Sequence, residues 1–347
     1  MTRMILAALA AFSLFLSPAA AAPQPGALET YKDWVIGCDN GGRCTAASLN
    51  PEKAVMTGEF AEITILRDAG PAAQPTVGLH FYDEIKGQVQ MVIDGRIIAS
   101  ATISGGTAIQ GPRASALAIA MAQGRHMEVR QNGKAVARVS LDGSAAALRY
   151  MDARQGRAGT VTALVAAGPL RAAAVKPALA LPRIRRSAVP TDAKTAPLTA
   201  AERKQAEKLT GCDAEFNVNQ KPELYPLDRN RTLVMLPCGA GAYNFSSAAL
   251  IATGKFGKRE FTAPIFDLQP GWGMKEDGYP MLVNYGWDAA RSTLSSYTRG
   301  RGLGDCGGAE TYVWDGSQFR LVEARSMGEC RGAMKWITTW RANVTES

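Results

Sequence analysis

Histidine is nearly absent, with two in 347 residues, and both of these, His80 and His126, lie in the first half. The second half alone therefore cannot assemble a Ser-His-Asp triad. The chain has no Gly-x-Ser-x-Gly elbow, no His-Glu-x-x-His and no Gly-Lys-Ser/Thr loop, so the usual signatures of α/β hydrolases, zinc proteases and P-loop enzymes are missing. It also lacks Cys-x-x-Cys, and the four cysteines of the second half have no histidine beside them, so neither a metal nor a cofactor is expected. Long apolar runs are lacking too. The stretch nearest to one, residues 5–16, falls short of the roughly 18 residues a membrane-spanning helix needs.

That stretch has the form of an export signal. Arg3 supplies the positive end, Pro18 breaks the apolar run, and small residues follow, with cleavage expected after Ala21. The Ala-, Arg- and Gly-rich usage suggests a bacterial source, so the expected destination is the periplasm or the exterior, with no transmembrane segment left once residues 1–21 are removed. In an oxidising compartment the six cysteines should pair. If bridges stay within each half, three pairings remain. The one joining sequence neighbours, Cys38 with Cys44, Cys212 with Cys238 and Cys306 with Cys330, is favoured.

The net charge of +8 is unevenly spread. Residues 22–168 hold 14 basic against 13 acidic groups, and residues 200–347 hold 18 against 17. The excess sits in residues 169–199, where Arg171, Lys176, Arg183, Arg185, Arg186 and Lys194 face Asp192 alone. Five prolines among alanines make that segment read as an extended spacer, or as a basic tether drawn to anionic envelope material. Neither flanking half is basic, so nucleic acid is not an expected partner.

Alternating apolar residues between turn signals predict strands over 33–38, 63–67, 77–82, 89–94, 96–101, 127–131 and 134–141. Asp94-Gly95 and Asn132-Gly133 are two-residue hairpin signals. Short helices fit 113–123 and the stretch from an Ser144 N-cap to Arg154. Beyond the spacer, Thr199-Ala200-Ala201-Glu202 is a capping box opening a helix that stops at Gly211. Strands are expected over 233–238, 247–253, 262–268, 281–285, 292–298, 311–314, 319–324 and 334–341, with a hairpin at Asp315-Gly316. The fold class expected is mainly β with short helices (α+β). A β-sandwich-like antiparallel domain (22–168) would precede a β-rich antiparallel domain led by one helix (200–347).

Several motifs recur together: Trp34-Val35-Ile36-Gly37-Cys38-Asp39-Asn40; Ala147-Leu148-Arg149-Tyr150-Met151-Asp152; Arg299-Gly300-Arg301-Gly302-Leu303-Gly304-Asp305-Cys306-Gly307; and Glu329-Cys330-Arg331-Gly332. With them the chain resembles an uncharacterised family of exported proteobacterial proteins known only as a domain of unknown function. The first half also resembles the invasion-associated locus B type of small exported β domain. Because the main family has no established activity, the resemblance carries no catalytic residue onto this chain.

The glycine-rich run is the best site candidate. Arg299 and Arg301 offer guanidinium forks, Gly302 and Gly304 let backbone approach a ligand, Asp305 can orient an arginine, and a Cys306–Cys330 bridge would bring Arg331 alongside. Gly302-x-Gly304-x-x-Gly307 matches a dinucleotide fingerprint only in form, since a strand rather than a helix follows. The second half also holds 17 of the 25 aromatic residues. The expected function is non-enzymatic binding of an anionic or glycan envelope ligand, or of a protein partner. The alternative is a carboxylate-dependent hydrolase of an envelope polysaccharide, with Asp267, Glu276, Asp277, Asp305 and Glu310 as candidate acids and Trp272 or Trp314 as a sugar platform.

Overall fold

The structure is a computed structural model describing residues 22–51, 60–104, 107–189, 193, 195–212, 220–271, 273–274 and 278–346. The expected signal segment thus lies outside the described residues. The N-terminal half contains β1 (Leu28–Tyr31), β2 (Trp34–Cys38), β3 (Cys44–Ser48), β4 (Ala61–Arg67), β5 (Pro75–Phe81), β6 (Gly87–Ile93), β7 (Arg96–Ile103), β8 (Thr107–Gln110), α1 (Pro112–Gln123), β9 (His126–Gln131), β10 (Lys134–Ser140) and α2 (Ser144–Arg154). These strands form two antiparallel sheets, ordered β1-β2-β3-β4-β5-β8 and β10-β9-β6-β7. A single core joins them: Trp34, Ile36, Ile63 and Leu79 face Met91 and Val129, closed by Leu117 and Met121 of α1 and Leu148 and Met151 of α2.

The two-residue turns form because Asp94 and Asn132 accept positive φ, as do the glycines after them. At α2, however, the N-cap is Gly143 and Ser144 is the first helical residue. A side chain at 143 would meet the Tyr31 carbonyl at 1.7 Å, and Ser144 Oγ donates to the Met121 carbonyl of α1 instead.

Residues expected as a spacer are partly built in. Strand β11 (Arg183–Arg186) pairs in parallel with the last strand of the chain, and Val175 and Ile184 are buried. The proline-rich composition carries no period that would reveal this, because the partner of β11 lies at residues 343–346, far along the chain.

The C-terminal half opens with α3 (Ala200–Thr210), whose capping box is present as expected. Next come β12 (Glu223–Pro226), β13 (Arg231–Ala240), β14 (Phe245–Thr253), β15 (Glu260–Thr262), β16 (Gly273–Met274), β17 (Pro280–Val283), β18 (Gly286–Asp288), β19 (Thr293–Arg299), β20 (Gly307–Trp314), β21 (Phe319–Met327), β22 (Ile337–Arg341) and β23 (Asn343–Glu346). One sheet is ordered β12-β13-β14-β17-β16 with β15 beside β14, and a second is ordered β18-β19-β20-β21-β22. Leu233, Met235 and Leu282 of the first pack on Leu294, Tyr312 and Phe319 of the second. The outer face of the first, with Val234 and Leu250, is covered by Ala206 of α3. Two expected strands are shorter than anticipated. Over 262–268 the ladder is interrupted at Pro264, which cannot donate: β15 pairs with β14 only up to Thr262, and Phe266 then makes an isolated bridge to Phe319. Strand β22 begins only at Ile337 because the Met334 and Lys335 amides are used elsewhere.

Strand β2 is buried at all five positions. A half-buried antiparallel strand would alternate, so its second face must also be covered. The cover comes from the other half: Val35, Ala47 and Leu49 pack against Cys306, Met327, Ala333 and Ile337.

Candidate functional site

The glycine-rich run is the loop of the β19–β20 hairpin, which closes where Arg299 pairs with Gly307. Gly300 N donates to the Cys306 carbonyl at 2.8 Å, and the Cys306–Cys330 disulfide ties the loop to the segment before β22. Bridges also join Cys38 to Cys44 and Cys212 to Cys238. Within the loop, Arg301 grips Asp305 with both Nε (2.7 Å) and Nη2 (2.5 Å). Asp305 also accepts from the Gly332 amide at 2.7 Å. Burial alone would raise the Asp305 carboxyl, but the Arg301 guanidinium and that amide outweigh it and hold it below the usual carboxylate range.

Arg331 does not join Arg299 and Arg301 on a ligand surface. It points into the N-terminal half, where Nε donates to the Asn50 carbonyl and Nη1 to the Lys32 carbonyl, both at 2.7 Å, and Nη2 pairs with Asp33. Three of its five N–H donors are thus spent on the chain itself, and its side chain is only 12% exposed, which makes it a poor anion site. Around it, Tyr82 donates to the Gly332 carbonyl (2.8 Å), while Glu62 accepts from the Met334 and Lys335 amides (2.8 and 2.9 Å). Arg341 pairs with Asp39 and exchanges two hydrogen bonds with Asn40. Of the candidate ligand residues, Arg331 belongs to the weld between the halves, while Arg301 and Asp305 are spent on each other within the loop.

Arg299 is the exception. Its guanidinium lies 5.5 Å from the Tyr297 ring centre, and its buried Nε has no hydrogen-bond partner. Gly302 and Gly304 flank the exposed Leu303 at the loop tip. One free arginine beside an apolar tip is a poorer anion cradle than the three that spacing alone suggested.

The candidate acids are dispersed in role. Asp267 is held by Arg320 at 2.9 Å and by the Leu321 amide at 2.8 Å. Glu310 accepts from the Gly271 amide at 3.3 Å, and burial pushes it up to about 7. Glu276, Asp277 and Trp272 lie outside the described residues. Trp314 is 3% exposed and packed at a tilt against Phe319 in the core, so it offers no platform to a sugar.

A wide groove opens elsewhere, between the edge strands β12 and β18 of the two C-terminal sheets. Its volume is about 780 Å³. Tyr225 from β12 and Trp287 from β18 stack across the sandwich edge, with ring centres 5.3 Å apart and planes 23° apart. Tyr285, the half-exposed Phe245, Ser247 and Lys221 complete the walls. Tyr225 donates to Glu223, and burial with this carboxylate pushes the Tyr225 phenol up to about 12. Tyr285 bonds the same pair and is raised further, chiefly by burial. Both phenols thus keep their protons at neutral pH. Glu223 is the one acid lining the groove among the described residues. The sequence signal for this groove was the excess of aromatics in the second half, which has no spacing that marks which rings remain open.

Over residues 28–343 the chain matches the family described as "Protein of unknown function (DUF1176)", and it belongs to that family. A relative, described as "Uncharacterized protein YpfG" of Escherichia coli (strain K12), is 26% identical over 340 residues, covering 90% of this chain and 92% of that protein. No solved structure matches. Among the described residues no helix is long and apolar enough to cross a membrane.

Proposed function

We propose that the chain is exported through residues 1–21, acts in the bacterial envelope without catalysing a reaction, and binds a glycan in the groove between β12 and β18. The stacked Tyr225–Trp287 pair at an open, mixed polar and aromatic cleft is the observation that carries this reading. Pyranose rings present apolar C–H faces to aromatic surfaces while their hydroxyls bond to polar neighbours, and Tyr285, Glu223, Ser247 and Lys221 supply such neighbours. Lys221 and Glu223 offset each other, which suits a neutral or zwitterionic glycan better than a polyanion. Two-carboxylate hydrolysis requires a second acid across the cleft, and the described lining holds one. Three disulfides accord with an oxidising compartment.

The test is a tryptophan-fluorescence titration of the mature chain with solubilised peptidoglycan glycan strands, with a reducing-end assay on the same samples. Saturable binding is expected, weakened at least about tenfold, or roughly 1.4 kcal/mol, in Trp287→Ala. Binding should be unchanged in an Arg299→Ala, Arg301→Ala double variant, and no new reducing ends should appear. Undiminished affinity in Trp287→Ala, or release of products, would overturn the reading.

A further inference from the structure

The N-terminal half carries a second cleft that the glycan reading does not use. Strand β7 pairs with β6 on one side, and β8 pairs with β5 on one side. These two strands follow each other in the chain yet end different sheets, so among the described residues each leaves one backbone edge without a strand partner. Thr107 Oγ1 donates to the Thr102 carbonyl at 3.0 Å and closes the narrow end of the gap. Beyond it the strands diverge around a cleft of about 600 Å³. Gln88, Ser100, Thr102, Thr107, Gln110 and Arg113 line it, and among the described residues no acidic side chain does. Arg113, at the first turn of α1, is exposed and has no acidic partner among the described residues.

An open strand edge offers N–H and C=O groups at the repeat of another strand, and proteins ordinarily shorten, charge or cover such edges. Strand β7 spans eight residues whose one charge is Arg96 at its start, and Ile97 is 61% exposed. Its protection, Arg96 and a bulge at Ile98, is confined to its first three residues and leaves residues 99–103, which border the cleft, without any. We propose that this cleft receives an extended, carboxylate-bearing peptide segment of a partner protein, added as a strand to β7 with its carboxylate on Arg113. Backbone pairing would provide the affinity. The hydroxyl and amide lining favours polar alternate side chains, and the single free cation sets the polarity of the end that binds there.

The test uses the mature chain and a fluorescein-labelled peptide, Thr-Val-Thr-Val-Thr-Val-Glu, followed by anisotropy and by hydrogen exchange read by mass spectrometry. Saturable binding is expected, with slowed exchange confined to 96–103 and 107–110. Affinity should fall about tenfold when the peptide ends in Gln amide or the protein carries Arg113→Ala. Ser100→Lys, which places a charge on the edge at an exposed position, should abolish binding with the thermal midpoint unchanged. The proposal is overturned by no binding up to about 1 mM peptide, by protection on another edge, or by equal affinity in both variants. Concentration-dependent protection of the same amides without peptide would assign the edge to a second copy of the chain, and would overturn it as well.

Discussion

Glu62 shows how one buried group couples the halves to pH. It is fully buried; one carboxylate oxygen takes two backbone amides of the opposite half, and Oε1 has no partner. Burial outweighs those amides and the nearby Lys335 charge, and pushes the acid up to about 8. The folded state thus holds this proton more tightly than the unfolded chain. Its stabilising contribution is full below the ordinary carboxylate range and is lost as pH rises through about 8. His80, its cross-strand neighbour, is hydrogen-bonded to Thr64, and burial with Lys335 moves it down to about 4. Its contribution has the opposite sign, present above the ordinary histidine range and lost as pH falls through about 4. Tyr82, also facing Glu62, is raised to about 12 by burial and by Asp305 and stays neutral throughout. Glu62→Gln should therefore unfold at higher denaturant than the wild type near pH 9, by an amount on the order of 3 kcal/mol. The gap should shrink toward pH 5. A pH-independent difference would show that Glu62 does not titrate across that range.

At the scale of elements, the hairpins and α3 were legible because their signals are local. Asp94-Gly95 and Asn132-Gly133 need only the φ of two residues, and the Thr199–Glu202 capping box spans one turn. Strands β1, β3, β8, β11 and β12 carry no such local mark and form where a neighbour supplies an edge. The β11–β23 pair is the sharpest example, since two segments far apart in the chain define it. Ile184 is its one buried side chain. Ile184→Asp should detach β11, and limited trypsin digestion would register this as at least about fivefold faster cleavage after Arg183, Arg185 or Arg186. That rise is what roughly 1 kcal/mol or more of lost local protection gives. Unchanged cleavage would mean that backbone pairing alone holds the strand. The candidate site was harder to read. Guanidiniums and glycines look alike in sequence whether they await an anion or grip their own chain, and only the fold assigns Arg331 to Asp33, Asn50 and Lys32.

In the whole molecule the two β-rich halves, each with its own core, share a further apolar cluster between them. Apolar residues of β2 and β3 pack on Met327 and Ile337, and the Arg331 and Arg341 clamps border that contact. Removing one partner of a mostly buried ion pair leaves the other charge and two carbonyls unmet. Arg331→Ala should cost about 2–4 kcal/mol in chemical denaturation. Calorimetry of the wild type should show one transition, because neither half can expose its share of this core alone. Two well-separated wild-type transitions would contradict the shared core.

By itself, the amino-acid order determined the β-rich class, the turns, the α3 cap and the chemistry available to the cysteines. Those depend on backbone preferences within a few residues and on thiols that lie near one another in the chain. Tertiary structure alone decided which arginines are free, which aromatic rings stay open and which strand edges go unpaired. Each of these is settled by what long-range packing brings against a side chain, and desolvation and hydrogen-bond satisfaction act on that neighbour whatever its distance in sequence.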